Sequence, residues 1–239
     1  MSEAGGKGGI EAEKRAAGLA ALGEVEAGMT IGLGTGSTVK YFLKGLAEAL
    51  ESGEIRDIRG VPTSSETEAR CRELGIPTVD LFDGIFLDIA VDGADEVSPE
   101  VDLVKGLGGA LLREKMVVQA AKRFVVIVDS GKEVGSLGEQ APVPVEVTQF
   151  GWPAQLSFFR SLGSEPDPRR LEGGELVVTD NGNHLIDLRF ESGIPFPREL
   201  EAALKRRAGV VETGLFLQMA DRVFVGTGEG VTLRERIRG

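Results

Sequence analysis

Apolar residues in this chain fall into short continuous runs that alternate with longer stretches spaced at the helical period. Met29-Thr30-Ile31, Ile58 to Val61, Pro77 to Leu81, Ile85 to Val91 and Phe124 to Val128 are the short runs. Most are rich in β-branched residues and end in glycine, proline or aspartate, the pattern of strands buried on both faces. Between them, Ile10 to Leu22 and Ala110 to Arg123 have helical composition. Val39, Phe42, Leu43, Leu46, Ala47 and Leu50 mark an amphipathic helix. Strand alternating with helix predicts an α/β fold: a doubly wound, mostly parallel sheet with helices on both faces and right-handed crossovers. Met1 to Gly9, rich in glycine and small polar residues, is expected to be disordered.

After Lys132 the alternation is lost. Pro142, Pro144 and Pro153 come close together, so a boundary is expected between 135 and 147. Leu176 to Thr179 and His184 to Phe190 flank Asp180-Asn181-Gly182-Asn183, which reads as a β-hairpin with an Asn-Gly turn. Arg198 to Ala208 reads as a helix, and the β run Arg222 to Gly226 can rejoin the main sheet. The expected organisation is a catalytic α/β domain, 1–137 and 212–239, with a smaller α+β subdomain, 138–211.

Composition narrows the class. The chain has 239 residues, 41% of them hydrophobic, enough for a packed core. Its net charge of -11 argues against a nucleic-acid or anionic-membrane surface, and the basic stretch Arg234 to Arg238 reads as a solvated tail. A single cysteine, Cys71, excludes an internal disulfide and suits a reducing compartment. With no signal peptide or long apolar span visible, a cytoplasmic protein is expected. One histidine and one cysteine leave no material for a His-rich or thiolate metal site, so no metal is expected. Trp152 and His184 both read as packing residues of the second segment.

Candidate chemistry gathers where strands end, the rim on which open α/β sheets bind ligands. Asp92-Gly93 breaks the run Ile85 to Val91, Asp95 follows, and Lys105 leads into Gly106, Gly108 and Gly109 before a helix that carries Glu114 in its early turns. Singly, each is ordinary turn or surface chemistry; together, acids, a lysine and a glycine-rich turn suggest a site. Gly32-Leu33-Gly34-Thr35-Gly36-Ser37-Thr38 joins a strand to a helix and fits one phosphate, through free N–H groups and the hydroxyls of Ser37 and Thr38. A tight turn capped by Ser37 or Thr38 explains the same residues and is compatible with binding. In Pro62 to Glu68, Ser65 and Glu68 stand at capping-box spacing, again in a polar loop after a strand.

These loops carry a resemblance. GLGTGST at 32–38, TSSETE at 63–68, DGADEV at 92–97, KGLGGALLREK at 105–115, DSGK at 129–132, PVPVEV at 142–147 and TDNGNHLID at 179–187 resemble, in order, the A-type ribose-5-phosphate isomerases. The resemblance implies interconversion of ribose 5-phosphate and ribulose 5-phosphate without metal or organic cofactor. It implies Glu114 as the proton-shuttling base, with a carboxyl made more basic by burial and nearby acids, and Lys105 as the charge beside the developing oxyanion. Asp92 and Asp95 would hydrogen-bond sugar hydroxyls, Asp92 also aiding ring opening. Lys14, Thr35, Gly36, Ser37, Thr38, Ser64, Gly93, Gly108, Gly109 and Lys132 would hold the phosphate and neighbouring oxygens, in a homodimer or homotetramer. The one visible departure is Leu107, where the family has a glycine. Two other classes remain: a coenzyme A transferase, revealed by a glutamyl thioester with acyl-CoA, and a non-catalytic sugar-phosphate sensor, revealed by binding without turnover.

Overall fold

The computed structural model of the chain describes residues 3–82 and 84–236. In chain order the elements are α1 (Glu3–Ala20), β1 (Thr30–Leu33), α2 (Val39–Ser52), β2 (Arg59–Pro62), α3 (Ser65–Leu74), β3 (Ile89–Asp92), β4 (Glu96–Val97), β5 (Leu103–Val104), α4 (Leu111–Gln119) and β6 (Phe124–Asp129). They continue with β7 (Val143–Val147), α5 (Gln155–Ser161), β8 (Glu165–Pro168), β9 (His184–Arg189), α6 (Pro197–Lys205), β10 (Val210–Thr213), β11 (Leu215–Phe216), β12 (Arg222–Thr227) and β13 (Gly230–Glu235). The chain divides into two compact units: residues up to 94, 113–132 and from 219 on; and residues 95–112 and 133–218.

The first unit is built on a sheet in the order β13-β12-β6-β3-β1-β2, parallel throughout except for the β12–β13 hairpin. β1, β3 and β6 are buried along their whole length, which is why their sequences are continuous apolar runs. Alternate residues Ile31, Leu33, Ile89, Val91, Val125 and Ile127 form one core with Ala17 of α1, Phe42 and Leu46 of α2, and Cys71 of α3. Burial of a side chain such as Phe42, fully enclosed, stabilises by about 1.5–3 kcal/mol. On the opposite face, a Cβ at Gly32 would lie 2.5 Å from Val117 of α4, so the glycine lets that helix close on the sheet. Helices thus cover both faces, as the alternation predicts. Burial pushes the Cys71 thiol up to about 11, and the nearby Glu68 adds to the shift.

The second unit is antiparallel: one sheet ordered β10-β7-β9-β8 and a small one ordered β11-β5-β4. Val143, Val145 and Val147 on one face of β7 pack with Phe159, Ile186, Leu188, Leu200 and Leu204. On the other face Glu146, fully buried, accepts from Thr179, Asn181 and Asn183, which explains the polar TDNGN stretch as the scaffold of a turn. His184 Nδ1 lies 2.9 Å from the Val177 carbonyl and its ring meets Trp152 edge-on at 6.4 Å, the packing role expected of both.

Several boundaries differ from expectation. The first helix starts at Glu3, so the expected disorder is corrected for residues 3–9, while Met1 and Ser2 lie outside the described residues. Extending a helix that is already docked needs no new nucleus, which offsets the weak propensity of the glycines. Of Pro77 to Leu81 only Thr78 bridges to Gly60, and Ile85 to Leu87 precede β3, with Phe86 exposed. The expected hairpin around Asn181-Gly182 keeps its turn, with Gly182 at φ +77°, but β9 takes its ladders from β7 and β8 and pairs with the preceding segment through an isolated bridge, His184 to Val178. Arg234 is solvent-exposed as expected but lies in edge strand β13, paired with β12, where a tail was expected; Arg238 lies outside the described residues.

Candidate functional site

β1 has β2 on one side and β3 on the other, so the strand order reverses between β1 and β3. Loops leaving the carboxyl ends of two such strands diverge and leave a crevice, the usual ligand position in this architecture. β1 runs into Gly34 to Thr38 and β3 into Asp92-Gly93. The two loops touch: a Cβ at Gly34 would lie 2.1 Å from Asp92 Oδ1 and 2.6 Å from Asp92 Cα, a clash no rotamer relieves. Asp92, 1% exposed, accepts from Thr35 N at 3.0 Å and Gly93 N at 2.7 Å.

Thr35 Oγ1 stands 2.9 Å from Thr63 Oγ1, 2.8 Å from Ser64 Oγ and 3.0 Å from Thr67 Oγ1. Ser64 is the N-cap of α3, accepting from Thr67 N at 3.0 Å; the cap is Ser64, and Ser65 is already helical. The capping pair was therefore expected one residue too late. Gly36, at φ +121°, needs to be glycine, and Thr38 holds the cap position of α2 without a side-chain capping bond. Ser37 is exposed.

Lys14 on α1 is 3.4 Å from Glu11 Oε1, and Glu11 also takes Lys40 Nζ at 3.1 Å and the Tyr41 hydroxyl. Tyr41 first, then Lys40, with a smaller part from Lys14, hold the Glu11 carboxyl down to about 2. Glu13, in the same turn, accepts from Ser130 N and Oγ, which ties α1 to the turn carrying Lys132. Glu114 lies in the first turn of α4 and is 4% exposed; its neighbour Lys115 is equally enclosed.

In the second unit, Lys105 is 2% exposed, donates its N–H to Gly214 O at 2.8 Å and sets its ammonium 5.5 Å over the Phe216 ring. A Cβ at Gly214 would lie 2.2 Å from Lys105 O, so that approach needs glycine. Asp95 Oδ2 accepts from Leu107 N at 2.9 Å, and Gly109 N closes a turn onto Gly106 O at 2.9 Å. Leu107 is 42% exposed and outside the positive-φ region, so its side chain is accommodated without changing the loop. Arg169 donates to Gly106 O and Leu107 O and is held by Asp187.

The structure thus brings Thr35, Ser64, Asp92 and Gly93 together in one unit, and Asp95 and the 105–109 loop together in the other. Of the residues that hold these groups, Thr63 and Thr67 stand within TSSETE and Asp187 closes TDNGNHLID, but the motifs alone give them no role; Glu11, Tyr41 and Arg169 carry no motif signal.

Comparison with known proteins shows the family. The family model for ribose 5-phosphate isomerase A (phosphoriboisomerase A) matches residues 59–230. A ribose-5-phosphate isomerase A from Deinococcus radiodurans is 48% identical over 223 residues, 93% of this chain and 97% of that one. A D-ribose-5-phosphate isomerase solved in complex with phospho-erythronic acid superposes with a TM-score of 0.92 at 43% identity, covering 95% of this chain and 99% of that one. The ribose 5-phosphate isomerase from Plasmodium falciparum gives 0.93 at 34% identity, covering 96% and 100%. With its switch-point crevice, its buried acids and this breadth of similarity, the chain belongs to the ribose 5-phosphate isomerase A family.

Proposed function

We propose that this isomerase moves its proton through the Glu114 carboxylate. In the ring-opened aldose the carboxylate takes the hydrogen of C2, the C2–H electrons form a C1–C2 double bond, and the C1 carbonyl oxygen becomes an oxyanion. Transfer of the O2 proton to O1 and return of the carboxylic proton to C1 then give the ketose, with nothing gained or lost. The observation that carries this reading is Glu114 itself, a carboxylate 4% exposed in the first turn of a helix, enclosed enough to be held in one place.

The remaining roles follow the family resemblance. Lys105 supplies positive charge to the oxyanion. Asp95 hydrogen-bonds a sugar hydroxyl, and Asp92, oriented by two N–H groups, assists ring opening. Ser37, Thr38 and the amides at Gly36, with Lys14 and Lys132, take the 5-phosphate at the start of α2. Ser64, Gly93, Gly108 and Gly109 are assigned to substrate binding by the same resemblance. Thr35 is best read as a positioning residue, since its amide and hydroxyl are already engaged within the protein. The relative solved in complex with phospho-erythronic acid supports a phosphorylated polyol acid as a probe, because its planar carboxylate bears two oxygens as an enediolate does.

Thr38→Ala removes a hydroxyl that makes no capping bond, so helix α2 should keep its stability. Steady-state kinetics should show KM raised about 3- to 30-fold with kcat within about threefold, the signature of lost uniform binding. A kcat loss with unchanged KM would remove Thr38 from the phosphate site.

We also propose a homo-oligomer, dimer or tetramer. Light scattering should give a mass near a multiple of the 25.3 kDa chain; the monomer mass at micromolar concentration would refute it.

A further inference from the structure

The guanidinium of Arg169 is the hub of the glycine-rich loop. Its Nε donates to Asp187 Oδ2 at 2.8 Å and its Nη2 to Asp187 Oδ1, a two-pronged pair with side chains only 16% and 13% exposed. The remaining prong, Nη1, reaches Gly106 O at 3.1 Å and Leu107 O at 2.9 Å. Each bond fixes a peptide plane. The Gly106–Leu107 peptide is held at both ends, its carbonyl by Arg169 and by Gly109 N, its N–H by Asp95 Oδ2. The Leu107–Gly108 peptide is held by its carbonyl alone. It is trans, so its N–H points away from Arg169. No hydrogen bond within the described residues takes up that Gly108 N–H, and Gly108 is exposed.

We infer that Arg169, braced by Asp187, is a positioning residue for the isomerisation: it locks the 106–108 peptide planes so that the Gly108 N–H is a fixed donor for an oxygen of the enediolate. This rests on the reading that the 105–109 loop meets the substrate, and it adds residues that neither strand ends nor the glycine motif reveal. A donor fixed before reaction is worth more than one that must be ordered during it. Arginine is required because only a planar fork can grip a carboxylate and two carbonyls at once; a lysine ammonium offers neither the reach nor the plane. Leu107 fits the same picture, since its side chain faces outward while its two backbone groups are used inward.

The test uses the full-length Arg169→Lys and Asp187→Asn proteins, assayed well below their melting temperatures. The expected result is a kcat lowered about 10- to 100-fold, below the full loss of an oxyanion donor, with KM within about threefold. Affinity for phospho-erythronic acid should fall with kcat, whereas inhibition by inorganic phosphate should stay as in the wild type. Asp187→Asn should move in the same direction by a smaller factor, and it decides the matter if Arg169→Lys does not fold. A kcat within twofold of wild type in the folded variants overturns the inference. So does a loss of activity that merely tracks the fraction unfolded. Glu114→Gln serves as the separate control: if it abolishes turnover while the Arg169 and Asp187 variants remain fast, only the positioning role fails. If Glu114→Gln is itself fast, the reading of the site fails first.

Discussion

Glu114→Gln should leave ribose 5-phosphate affinity within a small factor while kcat falls by roughly 10²–10⁴, the usual worth of a positioned base and equivalent to about 3–5 kcal/mol of barrier. Glutamine has nearly the volume of glutamate, so a side chain 4% exposed at the start of α4 is replaced without a cavity or a bulge. What it lacks is the ability to take a proton from carbon. Glu114→Asp tests geometry in place of chemistry: the carboxylate survives but retreats by one methylene, and a displacement of that size costs about 10² in rate. Wild-type enzyme turning over in deuterium oxide should place deuterium on C1 or C2, because a proton carried on a carboxylate can exchange before it is returned. An intramolecular hydride shift would carry hydrogen without exchange. Retention of more than about a tenth of wild-type kcat by Glu114→Gln, well short of the loss expected of a base, would move the role to Asp92 or Asp95.

The parts of this fold that were legible in the sequence are those encoded locally. β1, β3 and β6 are buried on both faces, and continuous apolar runs are the direct record of that burial. Gly36 and Gly182 occupy left-handed backbone, so their presence in loops could be read directly. Errors arose where the pattern is ambiguous at single-residue scale. Ser64 and Ser65 are adjacent hydroxyls, and only the observed bond to Thr67 N decides which one caps α3. β13 was missed because an edge strand that is exposed along its length writes no burial pattern into the sequence.

The candidate site divides the same way. Asp92, Asp95, Lys105 and Glu114 stand in recognisable motifs and were named from them. The contacts that hold those motifs in shape were not, because they join residues far apart in the chain. Thr35 meets Asp92 across 57 residues, and Arg169 meets Gly106 across 63. Nothing in the local sequence of Arg169 distinguishes it from Arg170 beside it. Yet Arg169 grips the glycine loop, whereas Arg170 donates to Gly174 O at the surface.

Glu96 shows that a motif can mix both kinds of residue. It follows Asp92 and Asp95 in DGADEV, and its chemistry alone would admit it to the site. In the fold it does something else. Fully buried, it accepts from Gly138 N at 2.5 Å, Gln140 N at 2.6 Å and Ala141 N at 2.7 Å, closing a turn 42 to 45 residues away. Glu96→Ala strands those N–H groups in a buried place, at about 1–3 kcal/mol each before any water enters, so a loss of roughly 3–5 kcal/mol is expected. For a chain of this length that corresponds to a melting temperature lower by roughly 10 °C. Glu96→Gln should recover only part of the loss, since its amide oxygen can still accept from Gln140 N and Ala141 N while its amide nitrogen turns a donor toward Gly138 N. At a temperature where the variant is folded, kcat should remain within about threefold of wild type, because the carboxylate acts on the turn and not on the sugar. A melting temperature within about 2 °C of wild type, a shift worth under about 1 kcal/mol, would refute the structural role. A folded variant with kcat reduced about a hundredfold, on the scale of a lost catalytic base, would place Glu96 among the catalytic acids.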